Sequence, residues 1–280
     1  MATIAQCLLR SSVLATSDSP QLDVQLLLAH VTGKDRSYFY AWPEAQLSAE
    51  QLASFERLLA RREQGEPIAH ILGQRDFWSF SLSVDATTLI PRPDTELLVE
   101  TVLGLDLPAN SQLLDMGTGT GAIALALASE RIDWQVVATD VATECVALAQ
   151  RNGAALDLDN IRFLLSDWYS ALAGQRFDVI VSNPPYIAAD DKHLNEGDVR
   201  FEPRRALVAL DNGLADLRHI ISQAPAYLCP GGWLLLEHGY DQGTAVQAML
   251  TEAGFCAVDC RRDLAANDRV SLGQWPGEKD

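Results

Sequence analysis

Metal-binding and membrane-spanning signatures are missing from this sequence of 280 residues, and basic charge is scarce. The five cysteines (Cys7, Cys145, Cys229, Cys256, Cys260) are odd in number and scattered. None forms a Cys-x-x-Cys pair, which argues against a zinc site or a disulfide framework. Cys256 and Cys260, the nearest pair, fall on an expected strand and read as inert thiols. The histidines (His30, His70, His193, His219, His238) show no metal-ligand spacing, so no metal is expected. His30 and His70 read as structural residues of helices, and His238 as a packing residue just after a strand. No stretch approaches the roughly 18 apolar residues of a membrane span. No basic segment followed by a long apolar run opens the chain. A soluble, cytoplasmic protein without a membrane partner is therefore expected. Lys and Arg number 21 against 38 Asp and Glu, a net charge of −17. The imbalance is local: residues 1–75 hold 7 basic and 8 acidic side chains, and the remainder 14 and 30. Such a field repels phosphate backbones and favours basic partners, though it also serves solubility. No direct nucleic-acid partner is expected.

Residues 1–75 read as a small helical domain. Ser19-Pro20 precedes an apolar run through Val24, Leu27, Leu28 and Val31, with Gly33 as its stop. Ser48 and Gln51 form a capping box for a second helix through Leu52, Phe55, Leu58 and Leu59. Arg57, Arg61 and Arg62 read as its solvated face. Residues 76–90, with the alternation Phe77, Trp78, Phe80, Leu82, Val84, predict a β-hairpin linker. A third segment, 91–280, begins with the stiff turn Pro91-Arg92-Pro93-Asp94-Thr95-Glu96 before a helix over Leu97 to Leu103. Strands are expected at 111–115, 135–139, 161–165, 177–182 and 232–237. Helices are expected at 121–130, 143–153, 214–228 and 242–253. Two last strands are placed at Phe255 to Cys260 and Arg269 to Trp275. Nearly continuous apolar strands alternating with helices predict an α/β fold with a buried, mostly parallel sheet.

Two loops carry chemistry. The first, Gly117-Thr118-Gly119-Thr120-Gly121, follows the first strand of that alternation and opens a helix. Its glycines let backbone approach a ligand closely, at the strand ends where ligands of parallel sheets bind. Asp140, ending the next strand, suits the hydroxyls of a ribose. NAD or an adenosyl sulfonium would both use such an acid, although Gly-x-Gly-x-Gly leans away from a pyrophosphate ligand. Asp167-Trp168 follows the third strand, the acid for an adenine amino group and Trp168 as a wall or stacking partner.

The second loop, Asn183-Pro184-Pro185-Tyr186, follows the apolar strand Phe177 to Ser182. Two prolines remove two N–H donors and stiffen the backbone, leaving carbonyls as pure acceptors. With the side-chain carbonyl of Asn183 they can accept both N–H groups of a flat NH₂, and Tyr186 can stack on its face. An amide or aryl amine nitrogen is a poor nucleophile, so fixed acceptors that aim it suit methyl transfer from a strong electrophile.

Together these motifs resemble those of class I S-adenosylmethionine-dependent methyltransferases. The chain as a whole resembles the HemK/PrmC family, which methylates the glutamine of the Gly-Gly-Gln loop in class 1 peptide chain release factors and so supports translation termination. The resemblance includes Pro91 to Glu96, Asp115 to Gly121, Asn183 to Tyr186, Gly197 to Pro203 and Glu237-His238-Gly239. Met116 stands where a leucine is commoner. The resemblance implies a Rossmann-like seven-stranded methyltransferase sheet whose last strand is antiparallel, plus a small all-helical N-terminal domain for substrate recognition. It implies that Gly117, Thr118, Gly119, Thr120, Gly121, Asp140, Trp168 and Asn183 bind S-adenosyl-L-methionine. It assigns the substrate amide to Asn183, Pro184, Pro185 and Tyr186, with Asn183, Pro184 and Tyr186 catalytic. A monomer is expected, with release factors as its protein partners. Arg204 and Arg205 meet a partner or are solvated, and the acidic loop around Asp190-Asp191 and Glu196 to Glu202 is either polar surface or a cover for substrate. The rival reading is an adenine amino methyltransferase on nucleic acid. It shares the acceptor pocket but calls for a basic groove that the sequence does not offer.

Overall fold

The structure, a computed structural model, describes residues 2–277. The chain divides into two compact units, residues 1–74 with 192–201, and residues 75–191 with 202–280.

The first unit is built from helices α1 (Ile4–Leu8), α2 (Pro20–Thr32), α3 (Arg36–Ala41), α4 (Ala49–Glu63) and α5 (Ile68–Leu72). Helix α2 starts on Pro20, whose fixed φ suits a first turn, and stops at Gly33, which takes a left-handed φ of 65°. Helix α4 opens on the reciprocal Ser48–Gln51 capping box. Val24, Leu27 and Leu28 of α2 pack with Phe55, Leu58 and Leu59 of α4 in one apolar core. Arg62 departs from the solvated face expected for it. It is 9% exposed, and its Nε donates to Asp23 Oδ2 at 2.6 Å and its Nη1 to Asp198 Oδ1 at 2.9 Å. A helical periodicity shows which face a residue takes, but not that an acid from another helix waits there. Asp198 also explains why residues 192–201 group with these helices, although they lie far along the chain.

In the second unit, β1 (Gln74–Phe77, beginning in the first unit) and β2 (Phe80–Ser83) form a two-stranded sheet. Helix α6 (Glu96–Leu103) follows a 3-10 turn at Pro93–Thr95. The main sheet contains β3 (Gln112–Met116), β4 (Gln135–Asp140), β5 (Ile161–Leu165), β6 (Phe177–Ser182), β7 (Leu228–Glu237), β8 (Cys256–Arg262) and β9 (Asp268–Gln274). Their spatial order is β5-β4-β3-β6-β7-β9-β8. Every pairing from β5 to β7 is parallel, and β9 runs antiparallel to both neighbours. Helices α7 (Ala122–Glu130), α8 (Thr143–Ala155), α9 (Ala215–Gln223) and α10 (Gly243–Glu252) connect them. This is the α/β, seven-stranded, Rossmann-like sheet expected, with its last strand reversed. Leu113, Val136 and Val179 enter one apolar core, and Leu114, Val137 and Ile180 another. Strand residues alternate faces, so continuous apolar strands divide their side chains between two covered faces. Strand β7 begins earlier than expected, at Leu228, because α9 gives way at Ala224–Ala226 to a 3-10 turn around Pro225.

Candidate active site

The register of the sheet assembles the site. Met116 pairs with both Thr139 and Ser182, and Ser182 pairs with Leu236. Gly117, Asp140, Asn183 and Glu237 are therefore each one residue beyond a level line across four parallel strands. Strand order reverses between β3 and β6: the chain goes outward from β3 to β5, then returns to β6. Such a switch point opens a crevice at the carboxyl ends of the strands. The crevice present there is about 1080 Å³ including its open mouth. Its wall includes Gly117, Thr118, Gly119, Thr120, Asp140, Trp168, Asn183 and Pro185.

The glycine loop has two different jobs. Gly117 and Gly119 have φ of 73° and 55°, a region that residues with a Cβ rarely enter. A Cβ on Gly117 would meet nothing within 4 Å, so the bare backbone faces open space. Gly121, with φ of 88°, is not part of the crevice wall. A Cβ there would lie 2.9 Å from Leu125 Cδ1 and 3.3 Å from Ala149 Cβ, so this glycine lets α7 and α8 approach. Asp140 braces the loop: Gly119 N donates to its Oδ2 at 3.0 Å and Ala142 N to its Oδ1 at 2.9 Å. A carboxylate has about four acceptor sites, so two remain for a ligand.

Trp168 holds a left-handed φ of 46° and packs at 6.1 Å, tilted, against His219. Asp167 and Asp216 line the same end of the crevice. Burial raises the Asp216 pKa, His219 opposes the shift, and Asp167 adds to it.

Beneath the loop lies Asp115, wholly buried, with Thr118 Oγ1 donating to its Oδ2 at 2.6 Å. Burial pushes its pKa up to about 7, against the Thr118 hydroxyl and a backbone donor at Ala124, with Asp140 adding a smaller push upward. A carboxyl raised in the fold above its unfolded value of about 4 stabilises the protein below that pH and loses the contribution as pH climbs towards 7. The melting temperature of the parent relative to Asp115→Asn should therefore fall between about pH 5 and pH 8, since asparagine does not ionise. A difference that stays flat over that range would show that Asp115 does not titrate there.

The Asn183–Tyr186 loop splits between wall and foundation. Asn183 and Pro185 face the crevice, Pro184 is buried, and Tyr186 packs against the core below. The Tyr186 hydroxyl donates to Glu237 Oε1 at 3.3 Å, and burial, then the Glu237 charge, raises its pKa. Asn183 Nδ2 donates to Thr95 Oγ1 at 3.2 Å.

Several crevice residues escaped the sequence reading. Thr87, Thr88, Arg92, Thr95, Cys145, Arg205 and Asp216 all line it. The segment Pro91 to Glu96 stood out as a stiff turn, but nothing in it signalled contact with a loop some ninety residues later. Arg205 is not simply solvated: its Nη2 reaches Glu144 Oε1 at 2.9 Å and Thr87 O at 3.0 Å. Arg204 Nη2 reaches Ala189 O at 3.4 Å. His238 is fully buried, with Nε2 2.8 Å from Ser271 Oγ and Nδ1 2.8 Å from Gly239 O, as suits a packing residue. Among the described residues no cluster of His, Cys, Asp and Glu could hold a metal ion, and no helix is long and apolar enough to cross a membrane.

The crevice suits an adenosyl sulfonium. Bare backbone at Gly117 and spare acceptor sites on Asp140 match close approach and a ribose, and the acidic lining matches a cation.

Known proteins resemble this chain over nearly its whole length. Residues 10–73 match the PrmC N-terminal domain, and residues 93–199 the methyltransferase small domain. A release factor glutamine methyltransferase of Yersinia pestis is 57% identical over 260 residues, covering 92% of this chain and 94% of that one. One from Pseudomonas aeruginosa is 55% identical over 268 residues, covering 96% and 97%. Among solved structures, the 16S rRNA N2 G1207 methyltransferase of Thermus thermophilus, in complex with AdoMet and guanosine, is 25% identical with a TM-score of 0.51. That match covers 72% of this chain and 49% of that one.

Proposed function

Since the chain belongs to the family of release factor glutamine methyltransferases, we propose that it transfers a methyl group from S-adenosyl-L-methionine to the side-chain amide nitrogen of the glutamine in the Gly-Gly-Gln loop of class 1 release factors. The observation that carries the reading is the row of strand ends: Asn183, with the acceptor loop it opens, stands beside the Gly117–Gly119 cradle at the switch point. S-adenosylmethionine, when bound, would supply a methyl group that a sulfonium already makes electrophilic, leaving as S-adenosylhomocysteine, while the methylated amide, strongly acidic once its nitrogen has four substituents, would lose its extra proton to water.

The chain's own residues then hold and aim. Gly117 to Thr120 admit the cofactor's backbone-like tail, Asp140 takes the ribose hydroxyls, and Trp168 bounds the adenine. Asn183 Oδ1 and the Pro184 carbonyl accept the two N–H groups of the glutamine, which turns the nitrogen's lone pair to the methyl. Among the described residues that line the crevice there is no histidine, lysine or glutamate, and positioning with fixed dipoles is the kind of assistance this chemistry needs. The helical unit would grip the body of the release factor. The surplus of acid after residue 75 disfavours a nucleic-acid substrate.

The test is transfer of labelled methyl to an intact release factor and to the same protein with Gln replaced by Ala in its Gly-Gly-Gln loop. Label should appear in the first and be absent from the second. Equal labelling of both would overturn the reading.

A further inference from the structure

The acceptor loop has few means of holding itself. Pro184 and Pro185 carry no N–H, so neither ties the loop to its surroundings by donating. Its carbonyls keep their direction only as far as its two ends are fixed. One end is Ser182, which pairs with Met116 and Leu236 in the sheet and gives its hydroxyl to Met116 O at 2.7 Å. The other end, Tyr186 and Ile187, lies beyond the sheet. Ile187 is tied by its own backbone: its N donates to Leu207 O at 2.8 Å, and its O accepts from Ala209 N at 3.0 Å. The Tyr186 carbonyl is held by a side chain from elsewhere, that of Gln242.

Gln242 immediately precedes α10 and is 9% exposed. A polar side chain in that place ordinarily accepts from the first N–H groups of its helix, and this one does not. Instead its Nε2 donates to Tyr186 O at 3.0 Å and to Asn212 O at 3.4 Å, while its Oε1 accepts from Gly239 N at 2.9 Å. These partners decide which end of the amide is which, because a carbonyl only accepts and a backbone N–H only donates. The backbone N of Gln242 donates to Gly239 O at 3.0 Å, so the side chain is also fixed at its root. One residue thus joins the loop after β6, the loop after β7 and the turn before α9. Gly213 of that turn completes the fit. Its φ is 86°, and a Cβ there would lie 2.1 Å from Tyr186 O and 2.8 Å from Gln242 Nε2. Bare backbone is what lets the turn close on the carbonyl.

We infer that Gln242 is a positioning residue which, backed by Gly213, clamps the Tyr186 carbonyl and so keeps the Pro184 carbonyl aimed at the glutamine amide. The inference rests on the acceptor roles proposed above for Asn183 and Pro184. With Tyr186 and Ile187 held, the loop cannot swing about its far end, and the fixed φ of each proline passes that constraint back to Pro184. Gln242 is not part of the crevice wall, so it acts on the reaction through the loop and leaves the cofactor's contacts alone.

The experiment uses the full-length chain and measures three quantities: the single-turnover rate of methyl transfer to a saturating release factor, the Kd for S-adenosylhomocysteine by calorimetry, and the melting temperature. Gln242→Met keeps the length of the side chain and removes its hydrogen bonds. It should slow transfer about 10–100-fold, the range that a displacement on the order of an ångström produces, with the Kd within about twofold of the parent. Gln242→Glu keeps the shape and the acceptor for Gly239 N but loses at least one N–H, and should slow transfer about tenfold or more. Gly213→Ala should slow it as well, by pushing on the carbonyl from the other side. Melting curves identify any variant that fails to fold, and Gln242→Glu remains informative if Gln242→Met does. A residue with a merely structural role would lower the melting temperature and leave the rate, measured where the chain is folded, near that of the parent. A rate within about threefold of the parent in the folded Gln242 variants, with Asn183→Ala inactive, would overturn the clamp alone. A loss of cofactor affinity as large as the loss of rate would overturn it too. Turnover surviving in Asn183→Ala would instead overturn the acceptor reading, and this inference with it.

Discussion

Asn183→Ala should lower kcat by about 10²–10³-fold, the loss that follows removal of one fixed dipole aimed at a reacting group. The side chain lines the crevice beside the glycine loop and is tethered through Nδ2 to Thr95 Oγ1. Truncation takes away the Oδ1 acceptor while the stiff Pro184-Pro185 frame keeps its carbonyls in place. The glutamine amide would then be held at one N–H and swing about the other. Ser182, immediately before, stays fixed by its hydroxyl bond to Met116 O at 2.7 Å, so the strand end should not move. Cofactor affinity should change little, because Gly117 to Thr120 and Asp140 lie on other strand ends. Single-turnover transfer of labelled methyl, with cofactor affinity measured separately by calorimetry, separates the two quantities. A variant retaining a tenth or more of parental turnover would remove Asn183 from its proposed role.

What the sequence made legible follows from how local each signal was. The strand–loop–helix around Gly117 and the proline pair at Pro184-Pro185 are written in contiguous residues, because backbone conformation is a local property. The sheet was legible from apolar runs, and the reversal of β9 from the family resemblance. The level row across four strands was not, since register joins residues as far apart as Met116 and Leu236, through pairings that no window contains. The contacts of Thr95 and Arg205 escaped for the same reason: each meets a partner distant in sequence, and a threonine or an arginine has no distinctive spacing of its own. Gly121 shows the converse limit. One Gly-x-Gly-x-Gly string includes two residues that bare the backbone to the crevice and one that lets helices α7 and α8 close together.

The charge distribution makes sense on the same footing. The crevice wall includes Asp140, Asp167 and Asp216, and its cation Arg205 is already paired with Glu144. Arg92, the other cation of the wall, is paired with buried Glu202 at 2.6 Å. A cationic ligand thus meets acids whose charge is not cancelled locally, while the wall's two guanidinium groups spend theirs on protein carboxylates. An anionic nucleic-acid backbone would find the reverse of what it needs.

Asp140→Ala should act on the other half of the reaction, raising the Kd for cofactor about a hundredfold while leaving kcat at saturation near the parental value. Hydrogen bonds to a charged acceptor contribute about 1.5–3 kcal/mol each, and a tenfold change in affinity corresponds to about 1.4 kcal/mol. Two ribose hydroxyls on one carboxylate therefore account for two decades or more. The same carboxylate also holds Gly119 N and Ala142 N, so its loss loosens the loop that the cofactor must find ordered. Asp140→Asn distinguishes these contributions. It keeps one oxygen to accept from either Gly119 or Ala142, but sets an NH₂ against the other N–H, so it should weaken binding by a smaller factor. Calorimetric titration with S-adenosylhomocysteine reads both variants without requiring turnover. A Kd within about threefold of the parent in Asp140→Ala would mean that the ribose is held elsewhere. A low kcat at saturating cofactor would mean that Asp140 aims the methyl group as well as holding the sugar. Paired with Asn183→Ala, which should spare binding and remove turnover, the result assigns the strand ends on either side of β3 to separable tasks.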